Sequence, residues 1–122
     1  LDVHDAGDLG DIVHGASEAV RAWARAGADL VLSGHVHVPL CRPLAVRYGP
    51  EAGACWTAVA GTATSYRIRG GHPNSVNVIR VDHFAGEVRR VLEQRDYDSE
   101  RQAFRVAATR DLSDRVLTVI TR

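Results

Sequence analysis

A helical stretch that runs through a single glycine into a short apolar stretch constrains this chain more than any other feature. Apolar residues recur at helical spacing in residues 12–26, which predicts a helix with one buried face. Gly27 stands where helices commonly end in a left-handed residue. The apolar run 29–33 that follows predicts a buried strand. This order is typical of the second half of a βαβ unit, so the sequence predicts an α/β fold with a first strand before residue 1.

Short strand-like segments make up most of the remaining chain. Apolar and β-branched runs predict strands at residues 42–48, 55–60, 76–82, 87–97 and 102–107. A tight turn at 84–86 joins two of these strands as a hairpin, and a slip in the alternation of its second strand indicates a β-bulge. A polar, glycine-containing loop covers residues 61–74. The order predicts one mixed sheet that ends in an antiparallel meander.

Composition indicates an ordinary globular chain and excludes several classes. The 122 residues correspond to one domain, and 45% apolar with 25% charged residues argues against disorder, collagen and coiled coils. No apolar run approaches the roughly 20 residues of a membrane span, and no export signal is visible, so we expect a cytoplasmic protein. All 15 basic residues are arginine, which suggests a nucleic-acid module as one alternative, but the net charge of zero argues against it.

The chain begins with Leu1 and contains no methionine. We therefore expect residues 1–122 to be a single partial domain, a fragment from the later part of a longer protein. The two cysteines, Cys41 and Cys55, lack metal-ligand spacing, and we expect two reduced, half-buried thiols.

Two histidines follow the predicted strand 29–33 in the sequence Ser-Gly-His-Val-His. In extended backbone, residues i and i+2 point to the same side, so His35 and His37 would enter one cleft about 6.5 Å apart. That spacing suits one ligand on each of two metal ions about 3.5–4 Å apart. The carboxyl end of a central strand is also where open α/β sheets place their sites. Two surface histidines are the alternative that a bare His-x-His pattern leaves open.

The segment from Asp29 to Pro39, DLVLSGHVHVP, resembles the C-terminal G-H-x-H signature of calcineurin-like metallophosphoesterases. The preceding helix and the segment AGTATS at residues 60–65 are similar to bacterial members, and the resemblance covers roughly residues 10–82. It implies the C-terminal half of a four-layer α/β/β/α sandwich. It also implies that His35 binds one of two divalent metal ions, manganese, iron or zinc, and that His37 binds the other.

The resemblance implies a hydrolase that cleaves a phosphate mono- or diester with a water activated by two metal ions. Nucleic acid would enter only as a substrate. A non-catalytic metal-binding or interaction domain that keeps only the G-H-x-H loop is the alternative. Four side chains of the loop 61–74 are candidate ligands of the substrate phosphate, with solvated loop residues as the other interpretation: Thr62, Ser65, Arg67 and Arg69. If strands 29–33 and 55–60 run parallel, this loop lies beside the histidines.

Other motifs of the family are matched only formally. Asp2-Val-His4 fits D-x-H and Gly7–Asp11 fits G-D-x-x-D, but two residues between them are too few for the crossover that joins parallel strands. We therefore expect a solvated acidic loop over residues 1–11, with Asp11 available to cap the helix. The family's Asn-His motif is absent from the sequence, so we expect the chain itself to hydrolyse little.

Three further histidines and one tryptophan have structural interpretations. We expect His14 and His83 at the surface, and Trp23 in the core on the apolar face of the helix. His72 lies in the glycine-rich loop, where a position facing the substrate is the alternative to a structural one.

Overall fold

The computed structural model describes residues 2, 3 and 6–113, and it shows an α/β architecture with two three-stranded sheets. The helices are α1 (Ala16–Arg25) and α2 (Ala45–Tyr48), with 3-10 turns at Ala6–Asp11 and Pro50–Ala52. The strands are β1 (Leu30–Ser33), β2 (Leu40–Pro43), β3 (Trp56–Val59), β4 (Ser75–Phe84), β5 (Glu87–Asp98) and β6 (Ala103–Asp111). Among the described residues no helix has the length and hydrophobicity to cross a bilayer.

The first sheet is mixed, with β3 between β1 and β2. β1 pairs parallel with β3 from Leu30↔Trp56 to Ser33↔Val59, which meets the condition under which the loop 61–74 lies beside the histidines. β2 pairs antiparallel with the other side of β3. The strand that leads to the histidines is therefore an edge strand of this sheet, and the expectation of a central strand was wrong for the described residues.

The second sheet is an antiparallel meander in the order β4-β5-β6. Its first hairpin turns at Ala85 and Gly86, both at positive φ, as the turn residues predict. The register shifts opposite Gln94 and Arg95, which pair with Ala108 and Val106, so the extra residue is Ala107 of β6. The bulge predicted for the second hairpin strand was therefore wrong, because that strand pairs with β4 without a break. The sequence suggested that the meander continues the mixed sheet, but the two sheets are separate. The irregular loop 61–74 separates them, and the Asn77 amide bridges to the Val59 carbonyl at 3.3 Å.

The core lies in two layers, on the two faces of the mixed sheet. On one face, Val20 of α1 packs with Leu44 and Cys55. On the other face, Trp56 and Ala58 of β3 pack against Leu92 of β5. Side chains of a strand alternate between faces, so a strand as buried as β3 contributes to both layers. The result is a three-layer order of helices, mixed sheet and antiparallel sheet.

The strand predicted at 42–48 was wrong over most of its length. β2 ends at Pro43, which has no N–H to extend the ladder, and residues 45–48 form α2. The Leu44 N–H donates to the Cys55 carbonyl at 2.9 Å and fixes the change of direction. Gly49 ends the helix at φ 72°, a conformation that glycine adopts without steric cost.

Trp23 is 41% exposed, so the prediction that it lies in the core was wrong. Val20, one turn earlier on the same face, is buried because α2 and the turn around Ala52 cover it. That cluster does not include Trp23. His14 and His83 are exposed, as expected.

The segment at Asp2 and Val3 is buried, which corrects the expectation of a solvated loop there. The Asp2 carboxylate accepts two hydrogen bonds of 2.7 Å from Arg42 and a further one from Arg47. Burial alone would raise the pKa of Asp2, but the two guanidinium groups outweigh it and hold that pKa below the usual value. The helix α1 begins after Gly15, without a side-chain cap, and the Asp11 side chain lies outside the described residues.

Candidate metal centre

His35 and His37 lie in the connection that leaves β1 and enters β2. His35 has φ 82° and His37 has φ 61°, so the backbone here is left-handed and not extended, which corrects the geometry assumed from the sequence. The side chains still alternate in burial, because Val36 and Val38 are only 5% and 6% exposed while His35 is exposed and His37 is half-buried. The valines anchor the connection to the core and leave the imidazoles on its outer side.

A positive φ at a residue other than glycine costs about 1–3 kcal/mol and persists only where the surrounding structure imposes it. Among the described residues this conformation occurs at four such positions. Ala85 and Gln102 lie in hairpin turns, which require it. His35 and His37 lie in a connection between strands that do not pair with each other. Strain of this kind, placed on two neighbouring histidines, is typical of a functional site.

The ring of His37 is held by the loop 61–74. Its Nδ1 lies 2.9 Å from the carbonyl oxygen of Arg67. Because a carbonyl can only accept, Nδ1 carries the proton, and in the neutral ring the lone pair is on Nε2. Metal-binding histidines commonly donate their second ring nitrogen to a backbone carbonyl in this way. The contact also confirms that the loop lies beside His37.

Three side chains of the loop hold its own backbone. The Thr62 hydroxyl accepts from the Ser65 N–H, and the Ser65 hydroxyl accepts from the Arg67 N–H, each at 3.0 Å. The Asn74 amide donates to the carbonyls of Thr62 and Ser65 at 3.0 and 2.9 Å. Both hydroxyls keep a proton to donate, so a structural role and the proposed phosphate contact are compatible.

Arg67 and Arg69 are exposed on the same loop. Neither guanidinium makes a hydrogen bond or an ion pair with residues in the described part of the chain. Their backbone is fixed instead, since the Arg67 carbonyl meets His37 and the Arg69 carbonyl accepts from the His72 N–H at 3.1 Å. The loop therefore carries two guanidinium groups that have no partner among the described residues, and its Arg67 backbone lies against His37.

Gly61 allows the loop to begin where it does. A Cβ at this position would lie 2.1 Å from the Ser75 hydroxyl oxygen, closer than atoms approach. The loop also ends close to where it begins, because the Ser75 N–H donates to the Thr62 carbonyl at 2.9 Å. The close approach of the two ends makes residues 62–74 a compact loop at the carboxyl ends of β1 and β3.

Sequence reasoning assigned no role to Asn74 or Tyr66. Asn74 holds two carbonyls of the loop, and the Pro73-Asn74 pair was a turn signal that pointed to it. Tyr66 is 93% exposed at the loop's tip, and only its position between the candidate residues Ser65 and Arg67 hinted at it.

No group of three or more histidine, cysteine, aspartate or glutamate side chains is placed to hold a metal ion within residues 2, 3 and 6–113. Asp2 is engaged by Arg42 and Arg47. His4 and the side chains of Asp8 and Asp11 lie outside the described residues. The orientation of His37 fits a metal ligand, while the described donors alone do not complete a two-metal site.

Comparison with known proteins returned no match: the chain fits no protein-family profile, and no curated protein or solved structure is similar to it. Function is therefore inferred from the residues and their geometry.

Proposed function

We propose that this chain carries the G-H-x-H part of a metal-dependent phosphoesterase, with His35 and His37 as ligands of two divalent cations. The observation that carries the proposal is the hydrogen bond from His37 Nδ1 to the Arg67 carbonyl. Because Nδ1 is bound to the loop, the unprotonated Nε2 of this strained residue points away from the loop, as a metal ligand requires.

The layer order supports the corresponding fold. Helices, a mixed sheet and an antiparallel sheet follow one another, and this order corresponds to three layers of an α/β/β/α sandwich. The histidines follow the carboxyl end of a parallel strand, where α/β sheets bind their ligands.

When bound, the two metal ions would polarise a phosphate oxygen and lower the pKa of a water molecule. The residues of this chain would bind and orient. Arg67 and Arg69 would neutralise the phosphate, and the Thr62 and Ser65 hydroxyl groups would donate to its oxygens. The Arg67 carbonyl would keep the His37 ring fixed during binding.

A paramagnetic titration tests the metal assignment. Addition of Mn²⁺ to the chain should broaden the ring signals of His35 and His37 before those of His14 and His83, which are exposed elsewhere. His37→Ala should weaken the selective broadening of the His35 signals, and the matched control His83→Ala should leave it unchanged. Equal broadening of all histidines would contradict the proposal.

An activity assay with Mn²⁺ and a chromogenic phosphodiester separates the proposal from its alternative. We expect negligible turnover by the chain alone, because two histidines supply too few ligands for a closed two-metal site. Selective Mn²⁺ binding with no turnover, even after the chain is fused to the N-terminal half of a calcineurin-like metallophosphoesterase, would favour a non-catalytic metal-binding domain.

A further inference from the structure

Tyr66 is the most exposed of the large hydrophobic side chains in the described part of the chain, at 93%. A ring exposed to this extent adds little to the stability of the fold, because aromatic side chains stabilise proteins chiefly through the area that they bury. Phe84 is similarly exposed at 83%, but it lies at the tip of a hairpin. Tyr66 lies in the loop that contacts His37.

The backbone on both sides of Tyr66 is fixed. The Ser65 N–H is held by Thr62 and the Arg67 N–H by Ser65, and the Tyr66 carbonyl accepts from the Ile68 N–H at 3.0 Å. The next carbonyl, that of Arg67, binds the His37 ring. An exposed aromatic ring on a pre-ordered backbone loses little entropy when a ligand covers it.

Tyr66 also lies next to positive charge. Its Cα is about 3.8 Å from that of Arg67, and the guanidinium groups of Arg67 and Arg69 have no partner among the described residues. An exposed aromatic ring and two guanidinium groups on one short loop are suited to a planar aromatic group that carries a phosphate.

We infer that Tyr66 is a specificity-determining residue that stacks on the planar aromatic group of a phosphate ester, the nucleobase of a nucleotide. The inference rests on the proposed function, because the phosphate of that ester is placed at His37 and the loop arginines. It assigns the loop two roles: the arginines bind the phosphate and the tyrosine selects the group attached to it.

Insertion of the loop into an anionic membrane is the other use of an exposed tyrosine beside arginines. Ile68, at 52% exposure, is the one other large apolar side chain exposed among residues 61–74. Membrane-surface segments combine a larger apolar face with an excess of positive charge. Here the net charge is zero, and the loop is hydrogen-bonded to His37. These observations favour a small aromatic ester.

Binding of AMP and of ribose 5-phosphate in the presence of Mn²⁺ tests the inference, since the two ligands share the phosphate and the sugar and differ in the base. We expect AMP to bind about tenfold more tightly, measured by calorimetry or by chemical-shift titration. Tyr66→Ala should remove this difference and leave ribose 5-phosphate binding unchanged, while Tyr66→Trp should retain it. Phe84→Ala is the matched control and should change neither affinity. It removes a similarly exposed ring at the far end of β4, about 30 Å along the strand from Ser75, where the loop ends.

The outcomes separate the inference from the proposed function. Equal binding of the two ligands, with His35 and His37 still selectively broadened by Mn²⁺, would overturn the role of Tyr66 and leave the metal site in place. Absence of both ligand binding and selective broadening would overturn both. Tyr66-dependent binding to anionic phospholipid vesicles without a preference for AMP would show that the loop contacts membranes and would overturn the inference.

Discussion

At the scale of single residues, the site depends on an unfavourable backbone conformation. His35 and His37 both have positive φ, and Val36 between them is buried against Val3 and Val59. The buried valine holds the connection in place, and the histidines bear the conformational cost. A side chain selected only for stability would not be histidine here, since glycine adopts this conformation freely.

Replacement of His35 with glycine should therefore separate stability from metal binding. We expect His35→Gly to raise the free energy of unfolding by about 1 kcal/mol, because relief of strain exceeds the extra entropy of glycine in the unfolded chain. Selective Mn²⁺ broadening at His37 should weaken at the same time. Urea unfolding monitored by circular dichroism measures the first effect.

The matched control is His83→Gly, in β4, where φ is not positive. Glycine there should lower the free energy of unfolding by about 0.5–1 kcal/mol. Equal destabilisation by both substitutions would show that His35 is not strained.

At the scale of elements, an ion-pair cluster attaches the N-terminal segment to two other elements. The Asp2 carboxylate forms ion pairs with Arg42 of β2 and Arg47 of α2. Both guanidinium groups also donate hydrogen bonds to the Val3 carbonyl, at 3.3 and 3.2 Å. Val3 is thereby held against Val36, the residue between the two histidines. The cluster consequently supports the site from the core side.

The Asp2 cluster predicts a defined pH dependence. Asp2→Asn should lower the free energy of unfolding at pH 7 by about 3 kcal/mol, because two arginines lose the charge that pairs with them. The pKa of Asp2 is lowered in the folded protein, so the stabilisation is complete above the usual value of 3.8 and is lost as pH falls below it. The difference between the two proteins should therefore persist from pH 8 to about pH 4 and shrink at pH 3.

Asp82→Asn is the control for this prediction, since Asp82 pairs with Arg80 at 3.2 Å on the exposed surface. Its effect at pH 7 should be within about 1 kcal/mol. An effect of Asp2→Asn no larger than that of Asp82→Asn would contradict a structural role for the cluster.

At the scale of the whole molecule, the mixed sheet lies between the helices and the antiparallel sheet. The thiols are free, as expected, but only Cys41 is half-buried, since Cys55 is buried. They lie on opposite faces of the mixed sheet: Cys55 packs towards the helices and Cys41 towards the antiparallel sheet. Burial raises the pKa of Cys41 to about 11 and also raises the pKa of Cys55.

Both thiols should therefore react slowly with iodoacetamide at pH 8 in the folded protein. The alkylation rate of Cys41 should be lower than that of an exposed cysteine by about 100-fold or more. If the layers unfold as one cooperative unit, alkylation of the two should become fast at the same urea concentration. Single-cysteine variants, Cys41→Ser and Cys55→Ser, assign the rates. Reaction of Cys41 at a lower urea concentration would show that the antiparallel sheet separates first.

Local patterns in the sequence determined the elements whose signals lie within a few residues. The helix that ends before Gly27, the strand β1 and the hairpin at Ala85–Gly86 were predicted correctly because periodicity and turn chemistry act locally. The histidine pair was visible for the same reason. Its function as a metal site stays a prediction.

Long-range packing decided the rest. Trp23 lies on the predicted apolar face, but its exposure depends on which elements cover that face, and no residue near it in sequence shows this. The sequence predicted a solvated Asp2, but the fold places two arginines, 40 and 45 residues away, around its carboxylate. The separation into two sheets, the positive φ of the histidines and the Arg67 carbonyl at His37 likewise come from contacts between distant segments. Such contacts form only when the chain closes on itself, so tertiary structure alone could determine them.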